Sequence, residues 1–182
     1  MDLGKLTGYS QGGALAFGAG MAALFGLYLV GLRAAGRAGG SRQALAVVLG
    51  FTLWQGLVLT AAYPVGALDV FAYVFQGRVL THYQANPFVV IPVSYAQDPM
   101  VPLLAWVYEP STYGALWVLI QGAAALVYGD SMLAGLVTFK LLGLAFYIMS
   151  ACFVFVILEH QNAVSPVAGA LFFAWNPLLI WE

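Results

Sequence analysis

The sequence predicts an all-α membrane protein, a polytopic helical bundle with a juxtamembrane helix in a large external loop. Three observations carry that prediction. First, 63% of the 182 residues are hydrophobic and 7% are charged, with a mean hydropathy of +0.91; one soluble core cannot hide that much apolar surface. Second, the apolar residues fall in runs as long as a bilayer is thick. Third, a proline-rich stretch between two such runs carries an acidic residue, Asp69, just past the end of an apolar span. A net charge of −1 excludes a nucleic-acid partner, and no Lys/Arg-rich run marks a tether to lipid headgroups. The only cysteine, Cys152, lies in an apolar run and reads as a buried, inert thiol, so there is no disulfide framework. One lysine precedes the first apolar run and no small-residue cleavage site follows it, so the N-terminus reads as a retained anchor rather than a signal peptide.

Residues 12–32 reach about 31 Å as a helix, enough to cross the hydrocarbon core. Their glycines permit close helix packing in lipid. The next segment, Arg33 to Arg42, holds Arg33, Arg37 and Arg42, half of the six Lys and Arg residues. In so short a loop this charge marks the cytoplasmic side. A second span over residues 44–62 then delivers Tyr63 and Asp69 to the outer face. Residues 63–113 form the external loop, opening with an interfacial helix over about residues 69–83. On that helix Asp69, Tyr73 and Gln76 share one side; Phe71, Val74, Phe75, Val79 and the stem of Arg78 share the other, which is expected to face lipid. Asp69 would look into whatever the helix roofs, or serve as an N-cap, and the two roles are compatible. Asn86-Pro87, Ile91-Pro92, Asp98-Pro99, Pro102 and Glu109-Pro110 rule out one long helix. A loop of that length without long elements is usually functional.

Residues 114–128 reach only about 22 Å as a helix, which suits a re-entrant helix returning to the outer side better than a thin span. Residues 133–158 span with tilt. Ser165-Pro166 makes a helix start, and the last span is expected over residues 166–181, the chain stopping within apolar sequence. Lys140 arbitrates between the topologies. If 114–128 returns, Lys140 enters the membrane about two turns from the outer face, on the same side as Asp69, where a cation needs a cavity or a partner. If 114–128 crosses, Lys140 lies near the cytoplasm and snorkels.

Asp69 at the head of an external helix, Gln76-Gly77-Arg78, Asn86-Pro87-Phe88, Tyr113-Gly114-Ala115-Leu116-Trp117, Phe139-Lys140 and Trp175-Asn176-Pro177-Leu178, in that order, resemble the N-terminal part of the GT-C glycosyltransferases that use polyprenyl-phosphate sugars. The branch they are most similar to is the bacterial mannosyltransferase-like one. The resemblance covers residue 63 to the end. It implies an integral protein of the bacterial plasma membrane whose active face is non-cytoplasmic and which transfers a hexose, mannose, from a polyprenyl-phosphate donor at the outer leaflet to a glycan or lipid acceptor. It further implies that Asp69 is the catalytic carboxylate, often accompanied by a divalent cation; that Arg78 and Lys140 hold the donor phosphate, although Arg78, well along its helix, is equally suited to gripping lipid headgroups; and that Tyr73, Asn86 and Tyr113 shape the sugar pocket. Family members carry more spans, so the chain is expected to be incomplete at its C-terminus, a fragment or a split subunit completed by a second membrane chain.

The chemistry agrees with these residue types. The leaving phosphate gains charge as the glycosidic bond breaks, and a positioned Arg or Lys stabilises it; a carboxylate within hydrogen-bond reach takes the proton of the attacking hydroxyl. His82 and His160 are too far apart for a metal pair, and Asp98 and Glu109, each before proline, read as turn residues. Two other classes fit the same sequence: a non-catalytic subunit that binds or flips a lipid-linked sugar, and a small transporter component. The former needs the phosphate clamp but not Asp69. The latter commonly shows repeats or broken helices, and the chain has no internal repeat.

Overall fold

A computed structural model describes residues 10–64 and 68–181, and every regular element among them is helical. They are α1 Gln11–Gly36, α2 Arg42–Ala61, α3 Asp69–Thr81, α4 Ala115–Tyr128, α5 Met132–His160, α6 Pro166–Ala174 and α7 Pro177–Trp181, with 3-10 turns at Pro92–Tyr95 and Val101–Leu103. By length and composition, three of the described helices, α1, α2 and α5, can cross a membrane. The chain divides into two compact units, residues 1–59 with 144–182, and residues 60–143.

In the first unit, Tyr28, Ala35, Val48, Phe155, Val167, Ala170 and Leu171 belong to one buried cluster. Small residues let its helices approach closely: a Cβ at Gly56 would lie 2.2 Å from Leu144, and one at Gly169 2.0 Å from Leu158. Arg42 and Glu159 form an exposed ion pair at 2.8 Å, so α2 and the end of α5 meet at the edge the arginine-rich loop occupies. Ser165 caps α6 as its sequence suggests, accepting from the Ala168 N–H at 3.3 Å, and Pro166 occupies the first turn. The apolar run 166–181 is not one helix. Pro177 has no N–H for the Phe173 carbonyl, and α6 stops at Ala174 after nine residues. The carbonyls freed by this break are taken by tyrosines. Tyr147 donates to Phe173 O at 3.1 Å and Ala174 O at 3.3 Å, and Tyr28 donates to Phe172 O at 2.9 Å.

In the second unit, α3 packs along α4. Gly77 is the contact point: a Cβ there would lie 2.4 Å from the Gln121 carbonyl and from the Tyr128 hydroxyl, so only glycine fits. Tyr128 donates to the Val74 carbonyl at 2.7 Å, and Val74 in turn fills the space left by Gly135. The expectation that α3 turns an apolar side to lipid is overturned. Phe71, Val74, Phe75 and Val79 are buried in the protein core, and Gln76 and Arg78 are buried with them. The reason is the loop itself, which supplies Met100 and Val101 to the same core and covers what lipid was expected to cover. Turns hold the loop in place. Ser111 N bonds Pro87 O at 2.7 Å, Val93 N bonds Val107 O at 2.9 Å, and the Ser111 hydroxyl donates to Gln76 Oε1 at 3.0 Å.

Candidate active site

Asp69 is the first helical residue of α3. The N-cap is Leu68, which makes no side-chain capping bond, so Asp69 is not the N-cap, and its carboxylate lies in the favourable field of the helix start. Two aromatic hydroxyls share its surroundings. Tyr73 lies one turn along α3, and its ring meets that of Tyr113 edge to face at 4.9 Å. Burial first, then a hydrogen bond with Tyr73, then the hydrogen bond and charge of Asp69, hold the Tyr113 hydroxyl protonated far above the ordinary tyrosine range. Burial likewise raises the Tyr73 pKa, opposed by its bond with Tyr113 and helped by the charge of Asp69. Both hydroxyls are therefore neutral donors at any working pH, arranged around one carboxylate.

The floor beneath them is aromatic. Tyr73 meets Trp117 at 5.3 Å and Phe139 at 5.8 Å, and Trp117 meets Phe139 at 6.1 Å. Phe139 precedes Lys140, whose ammonium donates to the backbone carbonyls of Thr60, at 3.4 Å, and of Ala62. Lysines commonly meet the last carbonyls of a helix in this way. Asp69, Tyr73, Tyr113 and Lys140 thus belong to one unit.

Arg78 and Asn86 are placed elsewhere. Arg78 lies nine residues along α3, about 13 Å from its start, and its side chain is buried in a network. Nε donates to Asp98 Oδ2 at 2.6 Å and Nη1 to Asp130. Asp98, reckoned a turn residue, is also the buried acceptor of the Tyr83 hydroxyl at 2.7 Å and the Met100 N–H at 2.8 Å. Burial alone would raise the Asp98 carboxyl, but these three donors hold it below the usual carboxylate range. Burial likewise works against the Arg78 guanidinium, and its two carboxylates outweigh that and raise its pKa. Asn86 is exposed, with its side-chain oxygen accepting from the Phe88 N–H at 3.0 Å.

The residues that sequence reasoning missed are polar groups inside apolar helices. Trp117 Nε1 and both amide atoms of Gln121 are buried without a hydrogen-bond partner, one turn apart on α4. A single glutamine in the apolar run 115–128 was the available signal. Asp130, in the α4–α5 turn, could be matched to Arg78 only through the fold. Among the described residues, no group of three His, Cys, Asp or Glu side chains converges on a metal position.

A family model described as alpha-(1->6)-mannopyranosyltransferase, N-terminal domain, matches residues 4–182. Neither a curated protein nor a solved structure matches the chain.

Proposed function

The chain belongs to the alpha-(1->6)-mannopyranosyltransferase family, as a match to its N-terminal domain, and from that premise we propose that it transfers mannose from a polyprenyl-phosphate donor at the outer leaflet, within a GT-C architecture. The chain is an integral membrane protein of helical type. In this reading Asp69 removes the proton of the acceptor hydroxyl as the oxygen attacks the anomeric carbon. The carbon–oxygen bond to phosphate breaks in the same displacement, and the phosphate leaves with the electron pair. Lys140 stabilises the charge that develops there, while Tyr73 and Tyr113 orient Asp69 and line the sugar pocket.

The observation that carries the proposal is the placement of Asp69 at the head of α3, one turn from Tyr73, whose ring meets that of Tyr113 at 4.9 Å. A second contact supports the topology. The Lys140 ammonium donates to the Thr60 and Ala62 carbonyls at the end of α2, which favours a reading in which α4 returns and the chain between residues 62 and 140 makes no net crossing. In this reading the acid and the cation share the non-cytoplasmic face, since the arginine-rich segment 33–42 reads as cytoplasmic. Arg78 has no part in the clamp in this reading, since two carboxylates already hold it.

The test is substitution in the full-length protein. Asp69→Asn should lower sugar transfer by about 10²- to 10⁴-fold, the usual worth of a positioned base, with donor binding intact. Unchanged transfer would remove the assignment, and loss of donor binding would point instead to a recognition subunit.

A further inference from the structure

At the far end of α3 from Asp69, Arg78, Tyr83, Tyr95 and Asp98 line an open cavity of about 440 Å³, together with Ser94 and Gln97. That volume falls within the range of small-molecule sites. The Tyr83 and Tyr95 rings stack at 4.0 Å with 24° between their planes, and the Arg78 guanidinium lies 5.9 Å from the Tyr83 ring centre. Bonding fixes the Tyr83 ring, and Tyr95 stacks on it. Tyr83 is tied through its hydroxyl to Asp98, which is buried and also accepts from Arg78 Nε.

The charge of the site decides what it can hold. One guanidinium faces two carboxylates, Asp98 and Asp130, which leaves a net −1, so a phosphate or carboxylate ligand is disfavoured. Arg78 still has donors to offer. A guanidinium has five N–H groups, and the carboxylate contacts engage one on Nε and one on Nη1. Fixed aromatic rings, spare planar donors, a serine hydroxyl and a glutamine amide around an uncharged-ligand site are the chemistry that recognises a neutral sugar: C–H faces against rings, hydroxyls against forked donors.

We propose that this cavity is a binding subsite for the carbohydrate acceptor, holding a neutral hexose unit away from the reacting hydroxyl. The proposal rests on the transferase reading above, and the test separates the two. Full-length protein carrying Asp69→Asn, in lipid nanodiscs, is titrated with linear α-(1→6)-mannotetraose. Binding should weaken about tenfold on Tyr95→Ala, stay within about twofold on Tyr95→Phe, and weaken again on Gln97→Trp, which obstructs the mouth from an exposed position and leaves the core untouched. With Asp69 restored, Tyr95→Ala should raise the acceptor KM about tenfold and leave the donor KM unchanged. Binding that none of these substitutions moves, displacement of the tetraose by inorganic phosphate, or a shift in the donor KM instead of the acceptor KM would each overturn the subsite. Transfer that is intact in Gln97→Trp with an unchanged acceptor KM would overturn it too, and leave Asp69 as the base.

Discussion

At the scale of single residues, the Asp69 carboxylate and the two tyrosine hydroxyls form a set that can be taken apart. Tyr113→Phe removes the neutral donor nearest the carboxylate and should reduce kcat about tenfold with little change in donor KM, as expected for one lost hydrogen bond to a charged group; steady-state kinetics with both substrates checks it. Asp98 tests the other end of α3. Its folded pKa is depressed, so the stability it gives is complete above the ordinary carboxylate range and is lost as pH falls through the lower, folded value. Between neutrality and about pH 5 it should therefore change nothing. Asp98→Asn should destabilise the external loop by about 2–4 kcal/mol, because Asp130 keeps part of the pairing, and the loss should disappear in strong acid. Hydrogen exchange of residues 92–104 against pH measures both.

At the scale of elements, sequence patterning found the helices but not their surroundings. The cap was legible because it is local, Ser165-Pro166 starting α6 through its own backbone chemistry, whereas the expected span over 166–181 ran through Pro177, where the missing N–H stops the helix. That Asp69 and Tyr73 share one side of α3 follows from the sequence, since one helical turn separates them. What could not be read was what lies against α3. Phe71, Phe75 and Val79 look the same on paper whether lipid or Met100 and Val101 cover them, and Arg78 looks like an open cation until Asp98 and Asp130 are brought to it by a loop and a turn. The tight α3–α4 contact gives a direct test. Gly77→Ala drives a methyl into the Gln121 carbonyl, which is backbone and cannot rotate away, and should cost about 1–3 kcal/mol. Gln121→Leu removes two buried groups that lack partners and should be neutral or stabilising. Thermal unfolding of the two variants side by side would tell them apart.

At the scale of the whole molecule, the topology makes one prediction that needs no substrate. In a Cys152→Ser background, single cysteines at exposed Ser41 and Tyr108 should label from opposite sides of the membrane, and one at Ser131 from the same side as Tyr108. Labelling of Ser131 with Ser41 would mean that α4 crosses, and Lys140 would leave the donor site with it. The class of the protein was already plain in its hydropathy, whereas the division of the chain into two units was not, because α5 runs without a sequence break from one into the other.

The interruption at Asn176 bears on the carrier hypothesis. Ion carriers use unwound backbone as a ligand cage, and they need its oxygens bare. Here phenols from α1 and α5 donate to the carbonyls of Phe172, Phe173 and Ala174, so the break is braced by side chains. An oxygen that already accepts from a phenol is a weaker ligand for a passing cation, which counts against a carrier role for this kink.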